Sequence, residues 1–307
     1  MKALSHLTSR RPNRSPREIR PEGLALIFSA PALVVISASI LFPLGYAIFV
    51  SLHRYNLKRP NRPFVGFDNY IRQLTDYSFW SSLLTTAIFT VGAVATIVVL
   101  GLLVATLLDQ DFPGRNILRA LQLVPWAVPP VVNGLLWKWL LDPSYGVINA
   151  IFLPLGFIDR YQAWLTTMPS AMIWVIAAYA WTHVPLASLL LLAGLQTVPK
   201  ELHEAAIVDG ATVLQRWRNI TLPLLTPTLM VVLIFETIFA LKVFDIISVL
   251  TAGGPGNATS VLGWSIYTTT FSKLDFGNGS ALAILLGVIT LGIAVLYFRV
   301  LNRVDHA

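Results

Sequence analysis

The sequence has no cysteine, which removes disulfides, thiolate metal sites and cysteine nucleophiles together and leaves the redox compartment open. Charge is scarce as well: 12% of the 307 residues are Asp, Glu, Lys or Arg, about half the share of an ordinary soluble domain. With 55% apolar residues and a mean hydropathy of +0.69, the chain reads as a membrane protein. Two further absences narrow its chemistry. There is no G-x-x-x-x-G-K-[ST] stretch, because Gly253-Gly254-Pro255-Gly256 lacks the lysine and the strand-to-helix setting of a phosphate cradle, so this chain is not expected to hydrolyse ATP. The histidines, His6, His53, His183, His203 and His306, show no paired ligand spacing, and neither a metal site nor a catalytic residue is expected.

What is present begins with a basic start. Lys2, Arg10, Arg11, Arg14, Arg17 and Arg20 account for much of the net charge of +7, so no nucleic-acid partner is expected. Residues 1–22, with Pro12, Pro16, Pro21 and several serines, read as a disordered cytoplasmic tail whose charges follow the positive-inside tendency. Residues 23–307 form the transmembrane domain. The run Leu24–Leu52 is far longer than the ~7–15 residues of a signal-peptide core, so it reads as a retained span.

About six apolar runs are long enough for a bilayer core of about 30 Å: Leu24–Leu52, Ser82–Leu108, Leu118–Leu141, Met168–Leu195, Leu222–Val243 and Ala281–Leu301. The fold class is an all-α membrane protein, and an even number of spans puts both termini on one side. With the N-terminus inside, Arg115, Arg119, Lys200, Arg216, Arg218, Arg299 and Arg303 fall on cytoplasmic segments, whereas Arg54, Lys58, Arg59, Arg62 and Arg72 form an exception in the first outer loop. Pro125, Pro129 and Pro130 in the third run and Pro185 in the fourth admit two readings, plain bending or helices that outline a cavity. Trp137 and Trp139 around Lys138 read as an outer-interface belt.

Between the fourth and fifth runs lies a polar island, Glu201 to Pro227. Pro199 suits a helix start, Glu201 and Glu204 favour the positive end of a helix dipole, and Gly210 interrupts. Ala211–Trp217 then forms a second short helix, and Pro223 and Pro227 mark the restart of a span. Leu202, Ala205, Ala206 and Asp209 share a face on which small alanines let another surface come close. The loop spans residues 198–223.

Glu204, Ala205, Ala206, Gly210, Ile220, Leu222 and Pro223 fit EAA-x3-G-x9-I-x-L-P without a gap, and the stretch resembles the EAA loop of ABC importer permeases. Phe244, Asp245, Leu250, Thr251, Gly253, Gly254, Pro255, Thr259, Leu262, Ile266 and Tyr267 look like the FD…LT-x-GGP…T…L…IY segment of carbohydrate-uptake permeases of the maltose-importer type. The resemblance covers nearly the whole chain from Leu24. It implies a type I importer permease for a mono- or oligosaccharide, multi-pass in a bacterial or archaeal cytoplasmic (inner) membrane, with both termini cytoplasmic. The implied partners are a second homologous permease subunit, two ATPase subunits, an extracytoplasmic solute-binding protein and membrane lipid. No cofactor is implied on this chain, and ATP and Mg belong to the ATPase. The resemblance assigns coupling to Glu204, Ala205, Ala206, Asp209 and Gly210, with Glu204 pairing with a basic residue of the ATPase and Gly210 forming the bend. It places Gly253, Gly254 and Pro255 in a turn of an outer loop.

For the substrate path, Tyr179, Thr182, His183 and Leu186 recur on one face of the fourth run, and Glu236, Phe239, Ala240 and Val243 on one face of the fifth. Rings that stack on a pyranose beside hydrogen-bonding groups suit a sugar. Tyr179, His183, Glu236, Phe239 and Ala240 are the candidates, and Glu236 lies about 20 Å into the bilayer at ~1.5 Å per residue. Ties between helices remain the alternative reading for Tyr179, His183 and Glu236. Lys242 and Asp245, three apart, are expected to pair with each other. An ion-coupled secondary transporter would carry more intramembrane carboxylates and no docking loop. A membrane enzyme would show a nucleophile–base pair. Glycerol phosphate and sugar alcohols stay open as substrates.

Overall fold

A computed structural model describes residues 21–304, so the expected basic tail lies outside the described residues up to residue 20. Among the described residues the chain is helical, with two isolated β-bridges and no strand. It divides into two units, Met1–Ala47 and Ile48–Ala307. Helix α1 (Pro21–Ser51) supplies the described part of the first unit, an apolar helix that runs through Pro31 and Pro43.

In the second unit the carbonyls left free where α1 ends are taken up by α2 (Asp68–Thr75). The buried Asn69 side chain donates to the carbonyls of Ser51 at 2.7 Å and His53 at 2.9 Å. Helix α3 (Tyr77–Asp109) opens at Asp76, whose carboxylate accepts the Ser78 N–H at 2.9 Å.

The third run departs from a single span. It forms α4 (Arg115–Leu121), a 3-10 turn at Pro125–Ala127 and α5 (Pro130–Leu140), with a 96° bend between the two arms. The cause is local. Two successive prolines remove two N–H donors and push the preceding residues out of the helical region, and Val128 and Pro129 are extended at ψ 124 and 140. Helix α6 (Val147–Phe152) follows, then α7 (Ser170–Leu195).

Beyond α7 come α8 (Lys200–Val208) and α9 (Val213–Arg216), which runs through a π segment, Trp217–Thr221, into α10 (Leu222–Leu241). The expected restart at Pro223 is therefore absent: residues Val213–Leu241 form one helix. The wider π turn sits one turn ahead of the proline, where the missing N–H would otherwise leave a carbonyl of a regular helix unpaired. Helices α11 (Asp245–Leu250) and α12 (Leu262–Tyr267), a second π segment at Thr268–Ser272 and α13 (Phe276–Val304) complete the chain. Five helices are long and apolar enough to cross a membrane, or six if the bent pair counts as one span.

The core lies between α3 and α7. Lipid is as apolar as leucine, so helices associate by close approach rather than by escape from water. Ala93, Ile97 and Ala105 of α3 and Val175, Ala178, Ala187 and Leu191 of α7 are fully buried. At the α7–α10 crossing a glycine permits close approach. A Cβ on Gly194 would stand 2.7 Å from Thr228 Oγ1 and 2.8 Å from Leu225 Cδ1.

Candidate functional site

The loop between α7 and α10 is built by its end groups. Helix α8 closes with a Schellman motif: the Ala211 N–H donates to the Ala206 carbonyl at 2.8 Å and the Gly210 N–H to that of Ile207 at 3.0 Å. This geometry requires a left-handed residue, and Gly210 has φ +79. A capping box then starts α9. The Thr212 hydroxyl accepts the Gln215 N–H at 3.3 Å, and Gln215 Oε1 accepts the Thr212 N–H at 2.8 Å. His203 Nε2 lies 3.4 Å from Thr221 Oγ1, which ties α8 back onto the π segment.

Glu204, Ala205, Asp209 and Gly210 are exposed and Ala206 is half-buried. The Glu204 carboxylate has no ion pair among the described residues. Around them Ile207, Val208, Val213 and Leu214 are exposed, Val208 to 87% and Leu214 to 76%. Exposed apolar side chains therefore surround a carboxylate that has no ion-pair partner among the described residues.

Away from the loop, near the middle of α7 and toward the C-terminal end of α10, the two helices carry the polar residues expected from the sequence. His183 Nδ1 lies 2.8 Å from Glu236 Oε2, and the Tyr179 and His183 rings stack at 3.9 Å. The Phe239 ring stands 6.2 Å from His183. These groups border a cavity of about 310 Å³ lined by Pro130, Asn133, Tyr179, Thr182, His183, Phe239 and the segment Lys242–Ile246. Pro130, at the break of the third run, is part of its wall, so the proline bend outlines a cavity.

Two of the five candidates are placed differently. Glu236, 3% exposed, stands behind His183 rather than in the wall. Ala240 is fully buried and lines no part of the cavity. Its position among the core residues of α10 follows from its small side chain, which lets a neighbouring helix close over it.

Sequence reasoning missed Asn133 and took Lys242 and Asp245 for a mutual pair rather than for residues of the cavity wall. The Asn133 amide donates to the Ala178 carbonyl at 2.9 Å, while its Oδ1 is buried without a partner. The Tyr179 hydroxyl is also buried and unpartnered. A lone asparagine in an apolar run beside two prolines was the available signal. Lys242 and Asp245 do not pair: α10 ends at Leu241, Asp245 begins α11, and the Lys242 ammonium lies 5.6 Å from the Phe239 ring centroid.

The second motif forms a turn. Thr259 Oγ1 lies 2.7 Å from Thr251 Oγ1 and 2.5 Å from the Gly254 carbonyl oxygen, which ties both ends of the glycine–proline stretch together. None of Gly253, Gly254 and Pro255 borders the cavity. Among the described residues no cluster of His, Asp and Glu could hold a metal ion.

Known proteins carry the same plan. The family model for "Binding-protein-dependent transport system inner membrane component" matches residues 97–307. The trehalose/maltose transport system permease protein MalF of Thermococcus litoralis is 41% identical over 287 residues, covering 93% of this chain and 96% of its own length. The sn-glycerol-3-phosphate transport system permease protein UgpA of Agrobacterium fabrum is 33% identical over 286 residues, covering 92% and 96%. In a crystal structure of a bacterial ABC transporter that imports the acidic polysaccharide alginate, one chain aligns with a TM-score of 0.78 over 91% of this chain and 95% of its own, at 22% identity, which speaks for the fold alone. The chain thus belongs to the binding-protein-dependent transport system inner membrane components and is a permease subunit of an ABC importer of the maltose-importer type.

Proposed function

We propose that this permease carries a neutral mono- or oligosaccharide across the inner membrane through the cavity between α5, α7 and the end of α10, driven by a separate ATPase that docks on α8 and α9. The observation that carries the reading is the pair of buried, unpartnered polar atoms at that cavity, Tyr179 Oη and Asn133 Oδ1. A buried polar group without a partner costs about 1–3 kcal/mol, so the site is incomplete until a ligand rich in hydroxyls supplies both a donor and an acceptor. Tyr179, His183 and Phe239 offer ring faces for the apolar side of a pyranose. The cavity volume of about 310 Å³ lies at the lower end of ordinary ligand sites.

Charge argues for a neutral substrate. Lys242 and Asp245 both border the cavity and offset each other, with Glu236 behind His183, so no surplus of cations awaits a phosphate. Of three relatives, MalF at 41% identity is named for trehalose and maltose, SmoG of Agrobacterium fabrum at 36% for sulfoquinovosyl glycerol and UgpA at 33% for glycerol phosphate, so the most similar of the three is the one named for a neutral sugar.

The proposed assembly has a second homologous permease, two ATPase subunits that hold ATP and Mg, and an extracytoplasmic solute-binding protein. The loop end is cytoplasmic, both termini lie on that side, and the cavity lies toward the outside. Coupling follows from connectivity. The loop lies between the ends of α7 and α10, the two helices that wall the cavity, and residues 213–241 are one helix. A push on α9 thus reaches Glu236 and Phe239 along one helix, ~22 Å from Thr221 to Glu236, while α8 acts on that helix through the turn at Gly210 and the contact of His203 with Thr221.

The test is reconstitution of the complex with its ATPase and binding protein. Alanine at Asn133 or His183 should abolish saccharide uptake while the complex still assembles. Wild-type uptake in both variants would sink the cavity assignment.

A further inference from the structure

We infer that a ladder of aromatic rings leads from the outer face to the cavity and carries the pyranose rings of the incoming saccharide; this rests on the saccharide reading above. Phe244 is part of the cavity wall. From it the rings follow one another: Phe244 to Tyr267 at 4.7 Å, Tyr267 to Phe271 at 5.3 Å, Phe271 to Phe276 at 6.1 Å and Phe276 to Tyr55 at 5.9 Å.

The row draws on the turn after α10, the helix made by α12 and the second π segment, the start of α13 and the stretch after α1, so four parts of the chain contribute to it. Tyr267 and Phe271, four residues apart on one helical face, are 39% and 59% exposed. The row ends in polar company. The Arg62 guanidinium lies 4.0 Å from the centroid of the Tyr55 ring and donates to its hydroxyl at 2.7 Å.

Aromatic residues at a membrane interface are common as separate anchors with one face in lipid. A row of touching rings that begins beside a cation and ends at a cavity with two unpartnered polar atoms has a different use. An aromatic face takes up the C–H face of a pyranose and leaves the hydroxyls to water. Several weak stacking positions in series hold the sugar near the entrance without trapping it, which is what conduction through a multi-site path needs.

The experiment is reconstitution in proteoliposomes with the ATPase and binding protein, using radiolabelled maltose and trehalose as probes and recording sugar imported per ATP hydrolysed. The double variant Tyr267→Leu with Phe271→Leu keeps the apolar bulk and loses the flat faces. It should import about five-fold less sugar per ATP at an unchanged ATPase rate. The double variant Tyr267→Phe with Phe271→Tyr should match wild type. Leucine variants that match wild type would overturn the ladder, as would uptake and ATPase falling together, since the rings would then serve docking or packing. A wild-type complex that imports neither sugar removes the saccharide reading itself and the ladder with it, an outcome distinct from the other two.

Discussion

The hydrogen bond between His183 Nδ1 and Glu236 Oε2, 2.8 Å long, is the only side-chain hydrogen bond joining α7 to α10 among the described residues. It lies midway along α7 and in the last two turns of α10, while the exposed loop with Glu204 and Gly210 joins the C-terminal end of α7 to the start of α10. In the proposed cycle any change in the angle between α7 and α10 strains or relaxes this bond. Through the stacked Tyr179 ring it also sets where the histidine stands in the cavity.

Glu236→Ala should therefore lower saccharide uptake by about tenfold, whereas Glu236→Gln, which still accepts a hydrogen bond, should retain much of it. The loss would not reflect unfolding, because hydrogen bonds between transmembrane helices contribute only about 0.6 kcal/mol on average. Uptake in parallel with thermal unfolding in detergent checks this. Wild-type uptake in the alanine variant would remove the bond from the transport path.

Tyr179→Phe separates stability from function. The hydroxyl is buried without a partner, so its removal relieves about 1–3 kcal/mol of unsatisfied burial and should raise the unfolding temperature. Uptake should fall in the same variant, because the ligand loses one of its partners. A destabilised Tyr179→Phe protein would mean that the hydroxyl serves the fold.

Much of this was legible in the sequence, for identifiable reasons. Gly210 announced a helix end because the left-handed residue after a helix is nearly always glycine, and the structure builds a Schellman motif on it. Tyr179, His183, Glu236 and Phe239 were recoverable as polar or aromatic residues at helical spacing inside apolar runs. Periodicity failed where the helix stopped. Lys242 and Asp245 pair only on a continuous helix, and the chain turns between them. Asn133 was hidden in a run read as one span, although the two prolines before it carried the break. Ala240 shares a face with Phe239 in projection, yet burial depends on which neighbouring helix covers that face, and a single sequence does not contain that information.

Coupling is the most direct target. Gly210→Ala meets no steric obstacle, since nothing lies within 4 Å of the added Cβ, but a left-handed alanine costs about 1–2 kcal/mol. It should weaken stimulation of the ATPase by liganded binding protein without altering membrane insertion. Gly210→Pro and Glu204→Lys should abolish the stimulation, the second by placing a cation where the proposed docking needs a carboxylate. Full stimulation of either variant would place docking elsewhere on the chain.

Charge balance in the cavity gives the last test. Lys242 and Asp245 both face the cavity, and each offsets the field of the other on a bound substrate. Both are exposed, so screening limits the effect of either charge to about 1 kcal/mol, or roughly five-fold in affinity. Asp245→Asn leaves Lys242 unopposed, and glycerol phosphate should then compete with saccharide uptake about five-fold more strongly than in wild type. Lys242→Met should do the reverse and make the transporter still less sensitive to the anion. The measurement is inhibition of labelled saccharide uptake over a range of glycerol phosphate concentrations, with binding protein held at saturation so that only the permease step is read. Equal inhibition curves for both variants and wild type would mean that these two side chains do not meet the substrate, and the cavity would then owe its selectivity to Asn133, Tyr179 and His183 alone.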